Sequence, residues 1–149
     1  MYFNVQDVSQ FQSQKDFIDT VIIPLLSVNL KENMIKQSSS QTQYLMSLTA
    51  FIEQQFKGRI MLMPPFTYLE QFKNTISLSS IKEAFQNAGF KHVLFITSDH
   101  SWTSLEEDVD VIWLPSIPLE SMDQSVKKTI LEDQLKHVIP ILTSKWSQS

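Results

Sequence analysis

A chain of 149 residues that is 42% hydrophobic and 11% aromatic can build the core of one domain, and its lack of cysteine excludes disulfides, thiolate metal sites and cysteine nucleophiles. Its 12 basic and 16 acidic residues leave a formal charge of −4, and Arg59 is the lone arginine. The dense basic face and arginine forks of a nucleic-acid binder therefore cannot be assembled.

The amino terminus, MYFNVQDVSQ, has neither the basic segment nor the apolar core of a targeting sequence. The longest apolar runs (VIIPLL, IMLM, VLFI) fall far short of the roughly 18 residues a membrane span needs, so no span and a cytoplasmic location are expected. Ser9/Gln12 has capping-box spacing, in which a hydroxyl satisfies a free backbone donor and the later side chain reaches back, and predicts a first helix. TVIIPLLSV predicts a strand over Thr20–Val28. Ser40/Gln43 opens a second helix, with Leu45, Leu48, Ile52 and Phe56 on one face and Gly58 as its left-handed C′ residue. RIMLM predicts a strand over Arg59–Met63, stopped by Pro64 and Pro65. Ser80/Glu83 opens a third helix, whose face is Ile81, Ala84, Phe85 and Ala88 and whose C′ residue is Gly89. HVLFITS predicts a strand over His92–Thr97, Ser104/Glu107 caps a short helical turn, and VDVIWLP predicts a strand over Asp110–Leu114. Ser121/Gln124 starts the longest helix, with Met122, Val126, Ile130, Leu135 and Val138 inward and Pro140 kinking or ending it.

The strands read as continuous apolar runs, as expected when helices cover both faces of a sheet. Their alternation with helices predicts a single α/β domain over residues 1–149, three-layer α/β/α, with a mainly parallel four-stranded sheet. The type is flavodoxin-like or Rossmann-like without a glycine-rich loop. By analogy with doubly wound folds the strand order is 2-1-3-4. With both glycines assigned to helix ends, neither G-x-x-x-x-G-K-[ST] nor G-x-G-x-x-G can be written, and nucleotide binding through such loops is excluded.

At FIDTVIIPL, GRIMLMPPFTYL and VIWLP the chain resembles the YpiF-like family, small uncharacterised proteins of Bacillus-type bacteria, over nearly its whole length in element order. These are strand and turn signatures rather than catalytic ones. The resemblance implies a cytoplasmic protein of unknown function, encoded in its relatives near genes for a menaquinol–cytochrome c reductase. It carries over no functional residue.

If the strands are parallel, their carboxyl ends share one edge, where open α/β folds bind ligands. That edge holds Ser27 and Asn29, then Pro64, Pro65, Phe66, Thr67 and Tyr68, then Ser98, Asp99 and His100, then Pro115 and Ser116. Ser98, Asp99, His100, Thr67 and Tyr68 are the candidate ligand contacts. Adjacent serine, aspartate and histidine do not make a hydrolytic triad, because neighbouring side chains diverge. As a simple turn, Ser98 and Asp99 would hydrogen-bond the backbone while His100 sits in solvent. Replacing Asp99 and His100 together would then change stability by at most about 1 kcal/mol.

From Asp99 to Gln124 the acids Asp99, Glu106, Glu107, Asp108, Asp110, Glu120 and Asp123 have no lysine or arginine among them. His92, His100 and His137 lack H-E-x-x-H spacing, and Glu106, Glu107 and Asp108 suit a helix amino terminus at Ser104, so neither metal nor cofactor is expected. MPPFTYLEQF joins two prolines to Phe66, Tyr68 and Phe72; it is either a flap over the core or, if exposed, a rigid hot spot through Pro65, Phe66 and Tyr68. Together these features favour a non-catalytic binding or accessory module that contacts another protein through this loop and the acidic stretch, with oligomeric state left open. The alternative is a small-molecule-binding or hydrolase-like enzyme at the strand-end edge.

Overall fold

Residues 1–104 and 108–148 are described by a computed structural model. Along the chain come α1 (Val5–Ser13), β1 (Thr20–Val28), α2 (Ile35–Gln55), β2 (Ile60–Leu62), β3 (Phe66–Leu69), α3 (Leu78–Asn87), β4 (His92–Thr97), β5 (Asp110–Trp113) and α4 (Gln124–Ser147). Two 3₁₀ turns, Glu70–Thr75 and His100–Ser104, punctuate them. The sheet runs β2-β1-β4-β5 with every pairing parallel, which is the 2-1-3-4 order of the four expected strands. No helix among the described residues is long and apolar enough to cross a membrane.

Successive β1 residues point to opposite faces, and both faces are covered. Ile22 and Leu26 pack with Leu94, Ile96 and Ile112 under Leu45, Leu48 and Ile52 of α2 and Leu135, Val138 and Leu142 of α4. Val21, Ile23 and Leu25 pack with Val93 and Phe95 on the other side, where Val8 and Phe11 of α1 and Ile81 and Phe85 of α3 close the third layer. This two-sided burial is why the strand reads as an unbroken apolar run.

β3 is a fifth strand inside MPPFTYLEQF. It pairs parallel with the second half of β1, from Leu25 opposite Phe66 to Val28 opposite Leu69, along the edge that β2 occupies at the first half. Between them the ladder breaks. Thr20 N–H donates to the Arg59 carbonyl at 3.4 Å, and the Ile22 carbonyl accepts from Met63 N–H at 3.0 Å, so even-numbered β1 residues turn their peptide groups toward this edge. Pro24 is next in that series and has no N–H to donate, and the chain facing it departs at Pro64 and Pro65. A proline inside a paired strand is tolerated here because its missing donor meets a gap.

Helix starts lie elsewhere than the serine spacings suggest. Asn4 caps α1 by accepting from Asp7 N–H, Ser77 caps α3 through Ser80 N–H, and Asp123 caps α4 through Val126 N–H. α2 has no side-chain cap; the Lys31 carbonyl instead accepts from Met34 and Ile35 N–H. Ser9, Ser40 and Ser80 therefore sit within helices, Ser121 precedes the α4 cap, and the Ser104/Glu107 pair lies partly outside the described residues. The physical reason is that a serine hydroxyl inside a helix can return its proton to the preceding turn, as Ser9 does to the Val5 carbonyl at 2.9 Å, so S-x-x-Q spacing alone does not fix an end. Gly89 follows the α3 cap residue with φ at 110°, as a C′ glycine should. Gly58 does not share that role. α2 closes through Phe56 N–H to the Glu53 carbonyl, and Gly58 has no positive φ. Pro140 neither ends α4 nor is buried; the helix continues seven residues, to Ser147.

Candidate functional site

At the carboxyl end of β4 the buried Thr97 hydroxyl donates to the Leu25 carbonyl at 3.1 Å and accepts from Asp99 N–H at 3.0 Å, turning the chain so that the Asp99 carboxylate faces β3. Oδ1 accepts from Ser101 N–H at 3.1 Å and from the Ser101 hydroxyl at 2.6 Å. Oδ2 accepts from the Tyr68 hydroxyl at 2.7 Å and lies 3.5 Å from Lys73 Nζ. Trp102 Nε1 donates to the same Tyr68 oxygen at 2.6 Å, the two rings meet edge to face, and Lys73 lies 4.4 Å over the Trp102 ring. Burial alone would raise the Asp99 pKa, but the bonds from Ser101 and Tyr68 and the charge of Lys73 outweigh it and hold the carboxyl below its usual range. Burial, reinforced by the bond to Asp99, pushes the Tyr68 hydroxyl far above an ordinary phenol. Asp99 thus stays ionised with both oxygens engaged, and Tyr68 stays protonated. This network staples β3, β4 and the two 3₁₀ turns together.

The β1 end is similarly committed. Glu70 accepts from the Ser27 hydroxyl at 3.4 Å and from Asn29 Nδ2 at 3.0 Å, and Ser38 Oγ accepts from Asn29 N–H at 3.0 Å. His100 is exposed and its ring meets Trp113 edge-on at 5.0 Å. Thr67 is exposed, Pro65 is half-buried, and Ser98 sits beside Asp99 with a buried hydroxyl. The Pro–aromatic segment divides: Tyr68 is 7% exposed, Phe66 40% and Phe72 54%. Asp99 and Tyr68 are brought together; Phe66 is left at the surface.

The acidic stretch finds its cations far away in sequence. Besides Lys73 on Asp99, Lys82 Nζ donates to the Asp108 carbonyl while the Ser79 hydroxyl donates to its carboxylate at 3.0 Å, and Lys145 pairs with Asp110 at 2.7 Å. Glu120 accepts from the Ser40 hydroxyl at 3.0 Å, and Asp123 is a helix cap. Glu106 and Glu107 lie outside the described residues. No group of three or more His, Cys, Asp or Glu side chains among the described residues is placed to hold a metal ion.

The ladder gap opens onto an apolar groove of about 220 Å³. Pro24, Pro64 and Pro65 form its floor and rim, Met46 of α2 one wall, and Tyr2 and Phe3 the other, with no charged side chain among the described residues of the lining. The wall is anchored at its base. The Met1 ammonium donates to Glu53 Oε1 and to the Ile60 carbonyl, each at 2.9 Å, and Leu62 N–H donates to the Met1 carbonyl at 2.7 Å. Tyr2 bridges Leu62 and extends the sheet beyond β2.

Residues 9–146 match the family model described as "Protein of unknown function (DUF2487)". The chain belongs to the DUF2487 family. It is also similar to the "Uncharacterized protein YpiF" of Bacillus subtilis (strain 168), at 31% identity over 149 residues covering 99% of each chain. No solved structure matches it. In this DUF2487 chain the groove residues Tyr2, Phe3, Pro24 and Met46 escaped sequence reasoning, because they come from three segments that only β1 pairing unites. One signal was present: Met46 lies beside the inward face of α2 yet is large and apolar, and it is 49% exposed.

Proposed function

We propose that this protein is a non-catalytic binding module of the cytoplasm that seats one large apolar side chain of a protein partner in the groove at the Pro24–Pro64–Pro65 gap. The groove itself carries the proposal. Its volume of about 220 Å³ lies below the ~300–1,000 Å³ typical of small-molecule sites, and an uncharged apolar pocket rimmed by exposed aromatics suits an interface anchor. Phe3, 55% exposed, extends the apolar surface. A hydrolase-like role at the strand ends has less support, since a general base needs a free lone pair and both Asp99 oxygens are occupied. The acidic stretch contributes less than expected, because Lys73, Lys82 and Lys145 already engage it.

The gene neighbourhood implied by the family resemblance makes the menaquinol–cytochrome c reductase the first partner to test. A photo-crosslinking residue placed at Met46 or Phe3 should trap a reductase subunit in cells, whereas one at Lys128, on exposed α4 surface, should not. Equal trapping from Lys128, or none from the groove, would sink the proposal. A product of twice the chain mass would reassign the groove to self-association.

A further inference from the structure

We infer that a second site, sharing no lining residue with the groove, lies between the first turns of α2 and the loops after β4 and β5, and that it takes an uncharged polyhydroxylated molecule of sugar size. The cavity there is open and about 690 Å³, within the ~300–1,000 Å³ of small-molecule sites. Its position follows from the strand order. The chain winds from β1 to β2 on one side and from β4 to β5 on the other, and ligands of open parallel sheets bind beyond the strand ends where that direction reverses.

The lining chemistry selects the ligand. Trp113 is 37% exposed, and its orientation is fixed by Nε1 donating to the Ser98 carbonyl at 3.2 Å and by the edge contact with His100. A fixed indole offers a flat apolar surface on which the C–H face of a sugar ring packs. Around it, Gln37 and Gln41, one helical turn apart on α2, offer amides that both donate and accept, as ligand hydroxyls require. Ser98 closes the cavity between them; its Oγ is buried and finds no hydrogen-bond partner among the described residues, so it leaves the ligand hydroxyls to the two amides. Charge argues against an anion. Among the described residues of the lining Lys36 is the one cation and Glu120 the one anion, and Glu120 is held in place by the Ser40 hydroxyl.

The test follows the Trp113 indole N–H and the Gln41 side-chain amide by NMR, assigned with Trp113→Phe and Gln41→Ala, during titration with glucose, maltose, N-acetylglucosamine and inositol, and separately with inorganic phosphate. At least one uncharged compound should give saturable shifts at both groups. Its binding should weaken about tenfold or more in Trp113→Ala and in Gln41→Ala, while Phe66→Ala leaves it unchanged. The two variants are independent, so misfolding of one leaves the other decisive. Absence of saturable shifts up to tens of millimolar would overturn the inference. So would shifts that survive Gln41→Ala, or saturation by phosphate alone.

Discussion

Tyr68 and Phe66 stand two residues apart on β3, and they belong to opposite kinds of structure. Tyr68 enters a closed polar network in which the Asp99 carboxylate satisfies Ser101, Tyr68 and Lys73. Phe66 is left exposed, next in the chain to Pro65, which with Pro24 and Pro64 lines an open apolar gap. The difference teaches where a site is to be sought. A cluster of polar residues that satisfy one another is a fastening, however catalytic its composition looks, whereas unspent surface marks a place for a partner.

Asp99→Ala should break the closed region most severely. It removes the acceptor of several bonds and leaves Tyr68 and Lys73 without their partner in a largely buried setting, a cost of about 3 kcal/mol measurable as a lower urea midpoint. The surface-turn expectation of at most about 1 kcal/mol is therefore revised upward, because Asp99 is half-buried and engaged from four directions. Tyr68→Phe keeps the ring and deletes one hydroxyl between two partners, so about 1–1.5 kcal/mol should be lost, with Trp102 near-ultraviolet dichroism altered. An unchanged midpoint in both variants would show that the network fastens nothing.

Acid titration sharpens the comparison further. The folded Asp99 carboxyl titrates below its unfolded value, so its stabilisation is full above about pH 4 and is lost as pH falls through the lower folded pKa. For His92, burial itself lowers the pKa, with Arg59, Lys91 and Lys145 adding to the effect and Asp19 opposing it. The unfolded chain then binds more protons below about pH 6.5, and stability starts to fall there as pH drops. His92→Gln should flatten the upper part of the stability–pH curve, and Asp99→Ala the lower part. Phe66→Ala should have the smallest effect on stability, within about 0.5 kcal/mol, while Phe3→Ala, in the groove lining, should abolish crosslinking from Met46. A large loss of stability in Phe66→Ala would move that residue from the open region to the closed one.

The sequence alone determined the three-layer architecture and the four main strands, because both-face burial writes continuous apolar runs and glycine, proline and helical periodicity punctuate them locally; the strand order came by analogy with doubly wound folds, and the pairing itself established it. Thr20–Val28 and His92–Thr97 could be bounded to the residue for that reason. Local signals failed where one spacing serves two purposes: Ser9 and Ser40 match a capping box but lie within helices. The candidate site was legible only as an edge. That Asp99 would be spent on Tyr68, 31 residues earlier, and that Lys73, Lys82 and Lys145 would answer an acidic stretch without a base of its own, depends on crossovers that bring distant segments together. β3 and the groove were hidden for the same reason. A strand of four residues after two prolines has too little local signal, and it exists because β1 leaves its edge unpaired beyond Pro24. Pairing and burial are properties of segments meeting, and only the tertiary structure decides which segments meet.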